Sequence, residues 1–357
     1  MSSSEASNNI HSELHQEIAA AHSIDTLKAI SVRILDITNA ALRSGAGTKD
    51  VVQLISRLNN AITLRLIALL ESNEGIRLPE GAAYLMLGSE GRGEQTLRTD
   101  QDSAIVYSDD FPPGNLCHVE RFATRLVDAL EEIGVPRCPG GIMASNPQWR
   151  HSLTEWKRLL TLWITAPTPE HMLNFGIFQD IRPLHGNLSL GTELREHIRN
   201  TVHDTAVFFP NMACHAARFP SPLTIFGRIR VEHRGDHKGT FDIKKAGIFA
   251  ITVGTSLLAL ETGSIGGTTW DKLELLGKRK IFNPGDLKAI EEAFTYLVKL
   301  RLKWQLRELS AGRKPTNHVD PRDMADRERN ELLKALKGVT IFLYQFRNHY
   351  QLGSISV

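Results

Sequence analysis

Apolar positions along the chain change period twice. From about residue 10 to 72 the period is helical: Leu27, Ile30, Ile34 and Ile37 share one face, and Val51, Leu54, Ile55, Leu58, Ile62 and Leu66 share another. Two or three packed helices are expected there, with Asp25 and Thr48 as N-caps and the Ser- and Asn-rich first nine residues as a disordered tail. The pattern then shortens. Gly81 to Leu87, GAAYLML, reads as a strand running into the glycine-rich GSEGRGE, and Asp102 to Tyr107, DSAIVY, as a second strand. Helical spacing returns over 115–134, a Pro139-Gly140-Gly141 turn follows, and 151–165 is an amphipathic segment rich in Trp and Leu. FGIFQDIRPL, 175–184, is compatible with a strand or a helix end. From about His203 onward mostly helix is expected, notably over 243–261, 286–309 and 327–350, with Gly312 and Pro315 between the last two. The fold class is therefore α+β. It divides into an N-terminal tail and helical segment (1–75), a strand-bearing domain (76–200) and a C-terminal helical domain (201–357).

Composition adds exclusions. Hydrophobic residues are 41% and charged residues 23% of 357, enough to bury a core. Forty-two Lys and Arg against 40 Asp and Glu leave a net charge of +2, so no global basic excess marks a nucleic-acid binder. The three cysteines, Cys117, Cys138 and Cys214, form no CxxC pair, which disfavours a zinc site or a disulfide framework and fits a reduced, cytoplasmic chain. Residues 1–10 lack the basic start and apolar core of a signal peptide, and no apolar run has membrane-spanning length.

The chemistry concentrates in LGSEGRGEQTLRTDQDSAIVY, residues 87–107. Gly88 lets the backbone turn and approach a ligand, and Ser89 offers a hydroxyl and an N–H to phosphate oxygens. Arg92 and Arg98 add charge-assisted donors. Asp100 and Asp102 follow, spaced so that an extended chain points both carboxylates to one face, roughly 6–7 Å apart at Cα. Such a pair suits Mg2+, which takes hard oxygen ligands from carboxylates and substrate phosphates. A two-ion site needs metals about 3.5–4 Å apart. A Gly-Ser or an Asp-x-Asp alone is a weak signal; both in this order between two strands are specific.

Other clusters carry less. His233, Asp236 and His237 lie in a Gly-flanked loop and read as a solvated charge cluster; no HExxH occurs. Trp149, Trp156 and Trp163, seven apart, read as core packing on one helical face. Cys138-Pro139-Gly140-Gly141 reads equally as cleft lining or as a plain turn.

With these residues in place, the chain resembles the polymerase-β nucleotidyltransferase superfamily. The fuller string GSEGRGEQTLRTDQDSAIVY resembles more closely still the branch often fused to CBS and cyclic-nucleotide-binding domains and related to the PII-protein uridylyltransferases. CPGGIMASNPQW (138–149), FQDIRPLHGN (178–187) and FDIKKAG (241–247) extend the resemblance over about 25–345. It implies a small mixed sheet with helices, flanked by N-terminal helices and a C-terminal helical, substrate-binding bundle. Gly88 and Ser89 would hold a nucleoside triphosphate, and Asp100 and Asp102 would bind two Mg2+ ions. A third carboxylate would act on the attacking hydroxyl. Asp180 is its candidate, equally read as a structural partner of Arg182. Lys244 would contact the nucleotide or the acceptor, or solvate a helix start. The implied activity is NMP transfer from an NTP to an acceptor hydroxyl, on a protein by analogy with the uridylyltransferases, with release of pyrophosphate. A nucleotide-binding sensor with a degenerate site and a small-molecule nucleotidyltransferase are the alternatives. No CBS or cyclic-nucleotide domain fits before residue 25, so regulation by those ligands is not expected of this chain. Neither a nucleic-acid nor a membrane partner is expected, and the amphipathic C-terminal helices suit a homodimer interface or internal packing equally.

Overall fold

The computed structural model describes residues 3–97, 100–219 and 221–354. In chain order the elements are α1 (Ser3–Ala20), α2 (Ile24–Arg43), α3 (Thr48–Glu74), β1 (Ala82–Met86), α4 (Gly88–Arg92), β2 (Ser103–Tyr107), α5 (Leu116–Glu132), β3 (Arg150–Ser152), α6 (Leu153–Thr165), α7 (Pro169–Phe178), β4 (Arg182–Gly186) and α8 (Leu188–His203). Then come α9 (Phe208–Ala216), β5 (Phe241–Asp242), α10 (Phe249–Glu261), α11 (Thr269–Lys278), α12 (Pro284–Ser310), β6 (His318–Val319) and α13 (Asp326–His349). The chain separates into two units, Met1–Leu162 with Ile177–Asn200, and Trp163–Gly176 with Thr201–Val357.

The first unit holds a four-stranded mixed sheet in the order β3-β2-β1-β4. β1 pairs antiparallel with both neighbours, Met86 facing Ser103 on one side and Arg182 on the other, while β3 runs parallel to β2. All five β1 residues are buried, as a continuous apolar run demands of a central strand. The α1–α3 helices belong to the same unit, with Leu27, Leu58 and Leu66 fully buried among them. Trp149, Trp156 and Phe178 pack ring against ring, and the Trp156 indole donates to Ile105 O at 2.9 Å, pinning α6 to β2.

In the second unit α12 and α13 pack along their length with α10 beside them. Gly338 makes that contact possible: a Cβ there would lie 2.6 Å from Ala289 O and from Ala293 Cβ. α11 opens on a capping box, Thr268 and Asp271 bonding each other's backbone N–H. Phe241 and Asp242 pair with Val319 and His318, and a π-helical turn, Lys244–Ile248, then leads into α10.

Several expectations are corrected. A helix begins at Ser3, where Ser and Asn composition predicts a disordered tail; Leu14 and Ile18 are buried and anchor its C-terminal half. The α2 N-cap is Ser23, whose hydroxyl accepts the Thr26 N–H at 3.1 Å, and Gly47 caps α3; Asp25 and Thr48 lie inside the first turns. FGIFQDIRPL is both options in succession, the end of α7 and the start of β4. Between α9 and β5 the chain is not helical, since Pro222, Gly227, Gly235 and Gly239 interrupt it with turns, the three glycines at positive φ. Trp149 precedes α6, so the three tryptophans do not share one helix, although all three are buried.

Candidate active site

The C-terminal end of β1 and the entry to β2 lie side by side, and the Gly-Ser and Asp-x-Asp motifs meet there. Leu87 is extended, and its N–H donates to Asp102 O at 2.9 Å. The chain then turns at Gly88, where φ is +50°. A Cβ at Gly88 would lie 2.7 Å from Asp102 Oδ2, so only glycine brings backbone and carboxylate this close. α4 starts here and ends on Gly93, at φ +68°. Ser89 is half-buried, and its carbonyl accepts the Glu94 N–H at 2.9 Å.

Asp100 and Asp102 just precede β2. Gln101 between them is buried, donating through Nε2 to Val127 O and Val135 O at 3.2 and 3.0 Å. Asp100 and Asp102 on either side of this anchor are half-buried. Burial, and then the Asp102 charge, push the Cys138 thiol up to about 11.

A buried ionic frame holds α4. Arg92 donates from Nε to Glu94 and from Nη1 to Asp180, both at 2.9 Å. Burial disfavours the Arg92 charge, yet Asp180 and Glu94 more than restore it. Arg182 donates to the Glu90 and Gly91 carbonyls at 2.8 and 3.2 Å and to Asn60 at 3.2 Å. Gly91 packs so closely that a Cβ would lie 2.2 Å from Asp180 O. The Glu90 carboxylate is buried and accepts from Gln95 Nε2 at 2.9 Å, while the Gln95 N–H donates to Ser56 of α3. Desolvation first, then the Asp102 charge, raise Glu90 well above the ordinary carboxylate range.

Comparison with known families supplies the identity. A profile described as "Putative nucleotidyltransferase DUF294" matches residues 32–170, and one described as "Putative nucleotidyltransferase substrate binding domain" matches 206–350. The chain belongs to this nucleotidyltransferase family. No curated protein matches it. Nucleotidyl transfer requires a nucleotide substrate, and the second unit carries the family's substrate-binding domain.

The predicted site residues that the structure describes fall into three groups. Gly88, Ser89, Asp100 and Asp102 come together. Arg92 and Asp180 come to the same region, but bound to each other. Lys244 is in the second unit, its ammonium 4.8 Å from the centre of the Phe249 ring and its N–H on Asp242 Oδ1 at 2.9 Å. Arg98 lies outside the described residues. Sequence reasoning passed over Glu90 and the anchoring by Arg182 and Gln95. Glu90 sits inside GSEGRGE, yet its burial is a tertiary fact no local pattern carries.

The Asp100 and Asp102 carboxylates fit a magnesium site as hard oxygen donors two residues apart, Asp102 beside a backbone without a Cβ. The His233–His237 loop is exposed, with His237 stacked on His318 at 3.5 Å, and no group of three His, Cys, Asp or Glu among the described residues forms a metal cluster there or elsewhere. Among the described residues no helix is long and apolar enough to cross a membrane. A cavity of about 1090 Å³ lies at the opposite end of β1, between Glu71, Arg77, Glu80, His118 and Arg121, away from these motifs.

Proposed function

We propose that the chain is a Mg2+-dependent enzyme that moves an NMP group from an NTP to a hydroxyl on an acceptor protein and releases pyrophosphate. One observation carries this reading: the Gly88 backbone closes on the Asp102 carboxylate to within a distance no Cβ would allow. A triphosphate received at α4 is thereby brought to the carboxylate that would hold its metal.

Gly88 and Ser89 receive the phosphates. The first N–H groups of a helix lack intrahelical acceptors, and the Ser89 hydroxyl adds one donor. Asp100 and Asp102 hold the metal. When bound, Mg2+ supplies neutralisation of the phosphate charge and a template for in-line attack. The buried pairing of Arg92 with Glu94 and Asp180 favours a holding role: the three residues fix α4 and leave phosphate binding to the backbone. A protein acceptor is favoured by the resemblance to PII-protein uridylyltransferases together with the separate substrate-binding domain.

The test incubates the protein with Mg2+, cell extract and each labelled nucleoside triphosphate, beside an Asp100→Asn/Asp102→Asn variant. Label on a protein and pyrophosphate release, both lost in the variant, are expected, and the labelled triphosphate names the base. A second reading, a nucleotide-binding sensor, is favoured by the engagement of Asp180 with Arg92, which leaves two carboxylates for metal. Nucleotide binding without pyrophosphate release, with every triphosphate, would select it.

A further inference from the structure

Between α9 and β5 the second unit carries a hairpin with an apolar, unburied tip. Leu223 and Ile229 bridge antiparallel, the Thr224 N–H donates to Arg228 O at 2.8 Å, and the Arg230 N–H donates to Pro222 O at 2.9 Å. The Gly227 N–H closes the turn on Thr224 O at 2.9 Å. At the tip Ile225 and Phe226 are 94% and 82% exposed, the most exposed large hydrophobic side chains among the described residues. Backbone hydrogen bonds thus hold two large apolar groups in water, where burial against a partner is favourable. A cavity of about 780 Å³ adjoins the hairpin stem, lined by Phe219, Val231 and Phe241 together with Arg230, Arg234 and Lys245. The Arg230 and Arg234 guanidinium groups make no hydrogen bond or ion pair among the described residues. Of the acids on the lining, Asp242 is buried and its Oδ1 accepts the Lys244 and Lys245 N–H groups at 2.9 and 3.0 Å, which leaves Glu232. Residues 218–245 hold seven Lys and Arg against three Asp and Glu, an excess larger than the +2 of the whole chain, so basic charge is concentrated here.

We propose that this hairpin and the cavity beside it dock an acidic segment of the acceptor protein: Arg230 and Arg234 meet its carboxylates, and Ile225 and Phe226 bury an apolar residue next to them. This rests on the reading of the chain as an enzyme with a protein acceptor. Charge selects the occupant. A planar guanidinium offers a carboxylate two parallel donors, and a positive rim turns basic segments away. Aromatic and Arg side chains also dominate the binding energy of protein interfaces, and here they stand side by side on one short hairpin. The hairpin lies inside the 206–350 match to the substrate-binding-domain profile.

The probes are short fluorescein-labelled peptides of glutamate alternating with leucine, glutamate alternating with serine, and lysine alternating with leucine, with a short single-stranded RNA beside them. Binding is read by fluorescence anisotropy. Native protein is compared with Arg230→Gln/Arg234→Gln and with Phe226→Ser, all at exposed positions, each with its melting curve. The glutamate–leucine peptide should bind native protein saturably, and about 10-fold more weakly in either variant at an unchanged melting temperature. Its affinity should fall with added salt, the glutamate–serine peptide should bind more weakly, and the lysine–leucine peptide should not bind. No binding of the glutamate–leucine peptide, equal affinity in native protein and both variants, or RNA bound as tightly as the peptide would each overturn the proposal. A second arm adds Mg2+, labelled triphosphate and cell extract, where both variants should label the acceptor more slowly than native protein does. Equal labelling by all three would overturn the docking role alone, whereas no labelled protein with native enzyme and any triphosphate would overturn the protein-acceptor reading beneath it.

Discussion

The Asp180 carboxylate meets the Arg92 guanidinium at 2.9 Å, with the two side chains only 2% and 11% exposed. Eighty-eight residues separate them in sequence, so the pair joins the turn before β4 to α4. Breaking a buried pair strands a charge and commonly costs about 3–5 kcal/mol. Arg92 keeps Glu94 after the loss of Asp180, so the low end applies. Asp180→Asn should lower stability by about 3 kcal/mol in urea titrations. Under folding conditions its transfer rate should fall much less than the about 100-fold expected when a general base is removed. A larger fall in the folded variant would restore Asp180 as the third carboxylate.

Two glycines of one motif should fail differently. Gly88→Ala places a Cβ 2.7 Å from a side-chain oxygen, Asp102 Oδ2, so the carboxylate must give up its present place. The left-handed backbone adds about 1–2 kcal/mol. Gly91→Ala places its Cβ 2.2 Å from Asp180 O and 3.0 Å from Met86 O, which are backbone atoms. Gly88→Ala should therefore fold with a modest loss of melting temperature and lose transfer and Mn2+ binding, because Asp102 is displaced. Gly91→Ala should lose stability first. Melting curves beside activity assays for both variants decide this.

What the sequence made legible was local. The apolar run at 82–86 and the alternation around Gln101 placed β1, β2 and the two aspartates, because strand periodicity and burial of one face are short-range facts. The turn at Gly88 was legible for the same reason. What stayed hidden was long-range. Arg92 and Arg98 read alike as phosphate donors, and only tertiary packing binds Arg92 to Asp180. The three residues of β3 are too few to show a period, although that strand and the α6 start it leads into set Trp156 against Ile105.

Trp156 ties α6 to the sheet by packing and by one hydrogen bond, and the two contributions separate. It is fully buried, and its Nε1 donates to the Ile105 carbonyl at 2.9 Å. Trp156→Phe keeps most of the volume but strands a buried carbonyl, at a cost of about 1–3 kcal/mol. Trp156→Ala adds a cavity and should cost about 3–5 kcal/mol. Urea midpoints should rank native above Phe above Ala; equal midpoints for native and Phe would show that the carbonyl finds another donor.

Glu90 gives the fold a pH dependence of unusual sign. Its folded value is raised well above 4.5, by desolvation first and by Asp102 next, with Arg182 and Gln95 opposing. The folded state thus holds this proton where the unfolded chain has released it. Stability contributed by the group is complete below the unfolded value of 4.5 and declines as pH rises from there toward the raised folded value. This is the reverse of a salt-bridged carboxylate. Glu90→Gln keeps the shape and the hydrogen-bonding capacity of the protonated acid and cannot ionise. In EDTA the variant should match native protein at pH 4 and exceed it in urea midpoint at pH 8. The difference should grow as pH rises above 4.5 and level off at the raised folded value, and a constant difference across the range would show that Glu90 is ionised in the folded protein.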